Sequence, residues 1–133
     1  MAISIAVRIA SATGVIQPCH LTYSDAPTVT LTARSPAFAE VSFSASNLFD
    51  ALTEFRLFLE ARGYLLLCNV ARQDTYISRM AKDMGGGVKV YVLHPGQQAR
   101  MNEMVDALGE APFDLVTTVA QQRTAYEQWL ASL

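Results

Sequence analysis

The sequence lacks any apolar run that approaches the ~20 residues needed to cross a membrane as a helix. It also holds only two cysteines, Cys19 and Cys68, among its 133 residues, whereas a small domain stapled by disulfides uses many more. The apolar start, residues 1–12, has no basic region before it and alternates like a β-strand, which is not the pattern of a signal peptide. We therefore expect a cytoplasmic location and no membrane partner.

An excess of one charge sign is also missing. Ten basic and twelve acidic side chains leave a net charge of −2. A nucleic-acid-binding domain usually carries a basic stripe, because neutralising phosphates supplies much of its affinity. We therefore expect no nucleic-acid partner. With 51% apolar and 17% charged residues, the chain has the composition of a folded domain.

Alternating apolar and polar residues predict strands in the first third of the chain. Residues 28–33 and 39–45 both follow this pattern, and the short proline-bearing connector between them predicts an antiparallel hairpin with one solvated face. Ser46 or Asn47 can cap the helix that follows, and Gly63 can end it. The helix carries a broad apolar stripe, with Arg56 and Glu60 on its solvated side.

Shorter elements follow. The residues "YLLLCNVA", 64–71, are apolar at nearly every position and predict a central strand covered on both faces. Ser78 can cap a short helix that runs through Met84. The residues "VKVYVLH", 88–94, predict the next strand.

Two further helices are predicted towards the end of the chain. Apolar side chains recur at helical spacing between Met101 and Leu108, and Thr118 and Gln121 stand at capping-box spacing before a final helix. The complete pattern predicts a single α+β domain over residues 1–133. In it, a largely antiparallel sheet of about five to six strands is packed by a central helix and a C-terminal helix.

Three consecutive glycines, residues 85–87, stand between the short helix and the next strand. A phosphate cradle needs a strand first, then the glycine loop, then a helix whose amides point at the anion. The order here is reversed, so we interpret the triplet as a connector, with Gly85 capping the helix and Gly87 leading into the strand. The additional glycine predicts the close approach of another backbone or of a partner.

Residue types suited to metal or covalent chemistry are scarce. The best transition-metal ligands are Cys19, His20, Cys68 and His94, and none of them has the short spacing of a structural zinc site. The sequence has no G-x-S-x-G elbow for a serine nucleophile, and the apolar neighbours of Cys68 are typical of an inert buried thiol. We therefore predict no metal, no cofactor and no catalytic residue of these kinds.

The densest group of polar residues begins where the buried strand 64–71 is predicted to end. It consists of Asn69, Arg72, Asp74, Tyr76, Ser78, Arg79, Lys82 and Asp83. We predict this group as a partner-binding surface. Alternatively, Arg72 and Arg79 can clamp a carboxylate or phosphate with Asp74 or Asp83 as a base, or the segment is a solvated loop with local ion pairs.

Two portions of the chain, residues 63–93 and 118–133, resemble a group of small uncharacterised bacterial proteins. The most recognisable pieces are Arg72, Asp74, Ser78, Met80 and the run "DMGGG" at 83–87. In size and layout that group looks like the immunity proteins of bacterial toxin systems, which are single α+β domains that bind and block a cognate toxin. The resemblance implies a protein partner, a cognate toxin domain, and assigns no catalytic residue.

The sequence is therefore consistent with three functions. The first is an immunity-type inhibitor, and the second is a small enzyme or anion-binding domain that uses the loop from Arg72 to Asp83. The third is a homo-oligomeric module whose apolar helix faces are buried between subunits. The missing catalytic signature favours a binding protein over an enzyme.

Overall fold

In a computed structural model of the protein, which describes residues 2–24 and 27–133, eight β-strands and three α-helices follow one another along the chain. The strands are β1 (Ala2–Ser11), β2 (Ile16–Ser24), β3 (Val29–Ser35), β4 (Phe38–Ala45), β5 (Tyr64–Leu66), β6 (Thr75–Tyr76), β7 (Lys89–Val92) and β8 (Met104–Asp106). The helices are α1 (Leu48–Glu60), α2 (Arg79–Gly85) and α3 (Val119–Ala131). The predicted α+β class with antiparallel strands is confirmed, but the strands divide into two sheets.

The first sheet is antiparallel and has the strand order β4-β3-β2-β1-β5. Its alternating sequence decides which face is buried, as β3 illustrates. Val29, Leu31 and Ala33 are buried, whereas Thr30 and Arg34 point to the exposed face. The predicted hairpin of β3 and β4 is confirmed, and its hydroxyl-bearing side chains lie on the outer face.

Helix α1 covers the buried face of this sheet. Asn47 is its N-cap, and the Asn47 Oδ1 accepts a hydrogen bond of 2.9 Å from the backbone N–H of Asp50. Leu52 and Phe55 in its apolar stripe are completely buried, and burying a side chain of this kind contributes about 1.5–3 kcal/mol. The chain turns away at Gly63, whose φ of 81° is left-handed. The predicted helix is therefore confirmed.

Arg56 is not on a solvated side of α1, and that prediction is wrong. Its side chain is buried, with a relative exposure of 2%, and it donates hydrogen bonds to the carbonyls of Val70 and Thr117 and to the Oε1 of Gln122. Burial lowers the pKa of Arg56 to about 10, against the partly opposing charge of Glu60. The guanidinium can be buried because oxygen atoms from distant parts of the chain accept its hydrogen bonds. The helical spacing in the sequence gives no sign of these partners.

The segment 64–71 is not a central strand. Only β5 pairs in the first sheet, with β1, and it lies at the edge. The following residues pair with an irregular segment instead: the N–H of Asn69 donates to the carbonyl of Gly109 at 2.8 Å, and the N–H of Ala111 donates to the carbonyl of Leu67 at 3.1 Å. Backbone bonds to residues 109–111 therefore take the place of the neighbouring strand that a central position would require, and the side chains of Leu66, Leu67 and Cys68 lie in the core.

The second sheet is antiparallel with the order β6-β7-β8. Strand β8 lies where a helix was predicted from Met101 to Leu108, and only one turn of 3-10 helix, Met101–Glu103, precedes it. Val105 lies opposite Val90 in the ladder, and the N–H of Ala107 donates to the carbonyl of Val88 at 2.9 Å. Pairing with β7 therefore satisfies the backbone groups that a helix would have satisfied internally.

Helix α3 closes the second half of the molecule. The Thr118 Oγ1 accepts a hydrogen bond of 3.1 Å from the N–H of Gln121, so the predicted cap is confirmed. The indole N–H of Trp129 donates to the carbonyls of His94 and Gln97, at 3.0 and 2.9 Å. These bonds attach the loop after β7 to the last turns of α3.

One apolar core joins the two sheets. Phe55 of α1 and Leu66 of β5 belong to it, together with Val90 of β7 and Ala107 after β8. The longer helices, α1 and α3, have 13 residues each. Within the described ranges, no helix combines the length and the apolar character that crossing a membrane requires.

Candidate functional site

The glycine triplet joins α2 to β7 and packs on the start of α1. The left-handed residues are Gly86 and Gly87, with φ of 71° and 73°, whereas Gly85 is the last residue of α2, so the expected cap at Gly85 is wrong by one position. A Cβ placed on Gly87 would lie 2.6 Å from the backbone nitrogen of Phe49. The N–H of Leu48 also donates to the carbonyl of Gly86 at 2.9 Å. The triplet is a connector that lets another backbone approach, as predicted.

The predicted polar group divides into two sets, and the first set holds the fold together. The Asn69 Nδ2 donates to the carbonyl of Asp106 at 3.0 Å. Arg72 donates twice to Asp74, from Nε at 2.8 Å and from Nη2 at 2.6 Å. The hydrogen bond with Asp74 raises the pKa of Arg72 above its ordinary value. Tyr76 stacks on a tyrosine of α3, with ring centroids 4.0 Å apart.

The second set lies on α2 and at its N-cap, and none of its members is buried. The Ser78 Oγ accepts a hydrogen bond from the N–H three residues later, so Ser78 is the predicted helix cap. The Lys82 Nζ lies 2.9 Å from the Oδ1 of Asp50 and ties α2 to α1. Arg79 and Asp83 form an i,i+4 pair with 3.9 Å between Nε and Oδ2, and their side chains are 95% and 69% exposed.

Each arginine of the expected anion clamp contacts a carboxylate of its own. The Nε and Nη2 of Arg72 are bonded to Asp74, and Arg79 lies beside Asp83. The same pairs occupy the two carboxylates that were considered as a base. Because an exposed ion pair contributes little to stability, Arg79 and Asp83 are the members of the group that are free to serve a partner.

An exposed groove lies directly beside these charges, and we call it the methionine groove. Its floor is the outer face of the second sheet, where Tyr91 of β7 stands opposite Met104 of β8. Helix α2 forms one wall and the 3-10 turn Met101–Glu103 forms the other. The groove has a volume of about 340 Å³ and is lined chiefly by Met80, Met84, Val88, Tyr91, Met101 and Met104.

Three of these methionines are strongly exposed. Met80, Met84 and Met101 have relative exposures of 69%, 83% and 80%, and Val88 beside them is 41% exposed. The groove holds four of the five methionines in the chain, and the fifth, Met1, lies outside the described residues. Contiguous exposed apolar side chains mark interaction sites, and methionine is flexible and polarizable enough to fit partners of varied shape.

Charges of both signs flank the methionine groove. Arg79 and Asp83 lie on α2, and Lys89 of β7 stands opposite Asp106 of β8 in the ladder. All four residues are exposed. An apolar centre with a charged rim is the usual composition of a protein–protein interface, in which the rim sets orientation more than affinity.

The four candidate metal ligands do not form a metal-binding cluster. Across residues 2–24 and 27–133, no three His, Cys, Asp or Glu side chains form a group that could hold a metal ion. Cys19 and Cys68 are free and buried, and burial raises their pKa values to about 11 and about 12. His94 contacts Glu103, with 2.5 Å between Nε2 and Oε2, and His20 lies 3.3 Å from an Arg34 nitrogen.

The methionine groove is not among the sites predicted from the sequence. The apolar spacing around Met101 and Met104 predicts a helix there, and Met80 enters only through the resemblance. The available signal is the concentration of methionine, because four of the five occur between residues 80 and 104. Methionine is uncommon enough that such a cluster deserves testing as a surface feature as well as a core feature.

A scan of the sequence against protein-family models matches no family, and a search of the curated proteins returns no match. We therefore infer the function from the geometry of the site.

Proposed function

We propose that this protein is a binding domain that recognises another protein through the methionine groove, and that it acts as an immunity-type inhibitor of a cognate bacterial toxin. The observation that carries the proposal is that four methionines line one groove and that three of them, Met80, Met84 and Met101, are strongly exposed. The proposal includes a cytoplasmic location. Two free, buried thiols fit a reducing compartment, where disulfides are rare.

The apolar lining favours a protein partner. A polar metabolite would need convergent hydrogen-bonding groups in the groove, whereas its floor and walls present methionine, valine and tyrosine side chains. An apolar side chain of a partner gains about 1.5–3 kcal/mol when it is buried completely. The partner segment that fits is therefore an apolar anchor that enters between α2 and the 3-10 turn Met101–Glu103.

The charged rim supplies specificity. Arg79 extends almost completely into solvent, and Lys89 stands at the edge of the floor. Carboxylates placed on either side of the apolar anchor would meet these two cations, while Asp83 would repel a partner that carries acids at the wrong position. Such an arrangement speeds encounter and fixes the register of the two surfaces. Binding should therefore weaken as the salt concentration rises.

The enzyme alternative receives less support from the geometry. An anion clamp or a general base at the loop from Arg72 to Asp83 requires groups that are not already satisfied. Arg72 and Asp74 neutralise each other through two hydrogen bonds. Of the two arginines of the clamp, this leaves only Arg79, which is 95% exposed.

The test uses the proteins encoded immediately upstream and downstream of this protein's own gene, each produced in an inactivated form. Calorimetric titration of the wild-type protein should detect saturable binding of one of them. Met84→Glu places a charge on the apolar wall and should weaken that binding at least about tenfold, or ~1.4 kcal/mol. Co-expression of wild-type protein should protect cells from the active toxin, and Met84→Glu should lose that protection.

Val15→Glu is the matched control. Val15 is 59% exposed in the turn between β1 and β2, away from the groove, so this variant should bind and protect like the wild type. Failure of both neighbouring gene products to bind contradicts the inhibitor proposal. Binding that Met84→Glu and Val15→Glu leave equally strong contradicts the groove as its site.

A further inference from the structure

Strand β4 is a sheet edge with little protection against pairing. It ends the strand order of the first sheet, and within residues 2–24 and 27–133 its backbone groups bond to no element other than β3. Edge strands usually carry lysine, proline or several charges that prevent edge-to-edge pairing. The sequence of β4, "FAEVSFSA", has a single charge, Glu40.

A β-bulge divides this strand into two parts. Residues 41–45 pair regularly with β3, and the register then shifts, so that Ser35 lies opposite Phe38. The shift leaves one extra residue in β4 near Ala39 and Glu40. Bulges interrupt a ladder locally, so the part of the edge that can accept another strand is the regular run 41–45. That run contains no charged residue.

Two rows of hydroxyl groups cross the outer face of the first sheet, and both rows end at β4. The register places Ser4, Thr22, Thr32 and Ser42 in one row, and the Thr32 and Ser42 hydroxyls are 2.9 Å apart. The second row runs through Ser24, Thr30 and Ser44. Ser42 and Ser44 are both exposed, and each row stops at the free edge.

The inner face of the same edge is aromatic and only partly covered. Phe43 contacts Phe55 and Phe58, with ring centroids 5.9 and 5.8 Å apart, and Phe38 lies 5.2 Å from Phe58. Phe38, Phe43 and Phe58 keep intermediate exposure, although they pack against the core. An occupant of the edge would complete the burial of this strip.

We propose that the occupant is a second copy of this chain, and that the two β4 strands pair antiparallel about a two-fold axis at Phe43. This register pairs every residue of the regular run, because Val41 meets Ala45 and Ser42 meets Ser44 of the second copy. Pairs of hydroxyls and of aromatic rings at these positions favour antiparallel sheets. The same surface serves both copies, as two-fold symmetry requires.

Charge and continuity favour a copy over an unrelated strand. Glu40 lies outside the paired run and near Arg34 of its own chain, at 3.8 Å, so no carboxylate meets its equivalent. Each hydroxyl row continues into the other row of the second copy. The result is a ten-stranded sheet with both α1 helices on one face. This inference is independent of the methionine groove, which lies on the other sheet.

The first experiment measures mass by sedimentation equilibrium over a wide range of concentration. The wild-type protein should reach twice the 14.5 kDa of one chain. Ser42→Lys/Ser44→Lys places like charges opposite each other and should shift the protein to monomer. Ser42→Lys/Ser44→Glu places opposite charges there and should restore the dimer. A monomeric wild type, or a dimer that the double lysine variant leaves intact, overturns the proposal.

The second experiment fixes the register by disulfide formation. Directly opposed residues have Cα atoms about 4.5–5.5 Å apart, within the range for a disulfide, whereas Ser42 and its own equivalent are diagonal neighbours about 7–8 Å apart. A mixture of Ser42→Cys and tagged Ser44→Cys protein should therefore form a mixed disulfide under mild oxidation. Each variant alone should form little. Efficient cross-linking of Ser42→Cys with itself overturns the register centred on Phe43.

Discussion

We expect the buried hydrogen-bond network around Arg56 to contribute strongly to the free energy of unfolding, chiefly through Gln122. Gln122 is the buried residue of α3, with 2% exposure, and its Oε1 accepts from the Arg56 Nη1 at 2.6 Å. Its Nε2 donates to the carbonyls of Val70 and Arg72 at 2.8 Å each and to that of Thr75 at 3.0 Å. One side chain therefore joins α1, α3 and the segment before β6.

Gln122→Met keeps the length of the side chain and removes every one of these hydrogen bonds. A hydrogen bond to a charged group contributes roughly 1.5–3 kcal/mol and a neutral one about 1 kcal/mol. The amide NH2 has two hydrogens, so its three carbonyl contacts count as two full hydrogen bonds. Losing these and the bond to Arg56 should lower the free energy of unfolding by roughly 3–5 kcal/mol. With a denaturant slope of about 1–3 kcal/mol per molar urea, the midpoint should fall by at least about 1 M.

The control is Gln128→Met on the same helix, because Gln128 is exposed. Exposed substitutions usually change stability by no more than about 0.5 kcal/mol. Urea unfolding followed by circular dichroism compares the two variants directly. Equal midpoints for Gln122→Met and Gln128→Met would refute the assignment of Gln122 as the residue that stabilises buried Arg56.

Further predictions concern the glycine loop, the core and the thiols. Gly87→Ala should lower the melting temperature, because its Cβ would meet α1 at 2.6 Å and its φ is left-handed, whereas Gly85→Ala should not; equal losses contradict the assignment. Phe55→Ala should destabilise by about 3–5 kcal/mol through its cavity, and a midpoint that stays constant in urea refutes its burial. Cys19 and Cys68 should resist thiol reagents at pH 8 until the protein unfolds, since their pKa values are raised to about 11 and about 12. These folded-state pKa values exceed the ordinary 9.0, so the unfolded chain loses its thiol protons at a lower pH than the folded protein. The two thiols should therefore leave the free energy of unfolding unchanged below pH 9 and lower it as the pH rises above 9.

The local elements were predictable where short-range chemistry decides them. The caps at Ser78 and Thr118 lie where the sequence predicts them, and Asn47 is one of the two residues predicted to cap α1. In each case the side-chain oxygen accepts a bond from an amide three residues later. The β3–β4 hairpin follows from alternation in the same way. In these cases the residues that interact are near one another in the sequence.

The predictions are wrong where contacts with distant segments determine the secondary structure or the burial of a residue. Residues 104–106 form a strand because β7 offers a free edge, although the apolar spacing around them is helical. Arg56 is buried because Val70, Thr117 and Gln122 supply oxygen atoms from elsewhere in the chain. Spacing on one segment carries no information about such partners.

The candidate site was predicted in part for the same reason. Arg79, Lys82 and Asp83 lie on the exposed helix that borders the groove, whereas Arg72 and Asp74 are internal partners. A charged residue type does not by itself distinguish an exposed charge such as Arg79 from one that is paired, such as Arg72. The methionines are mispredicted for a different reason. An apolar residue type predicts burial in the core, and only the surrounding structure shows that these side chains are exposed.

The most direct measurement is a nuclear magnetic resonance titration of protein labelled with ¹³C at the methionine methyl groups. The titrant is the inactivated neighbouring gene product that binds in calorimetry. We expect the signals of the four groove methionines to shift or broaden in proportion to occupancy, since the side chains of Met80, Met84, Met101 and Met104 line the groove. Saturating binding that leaves all four signals unchanged would contradict the methionine groove as the partner site.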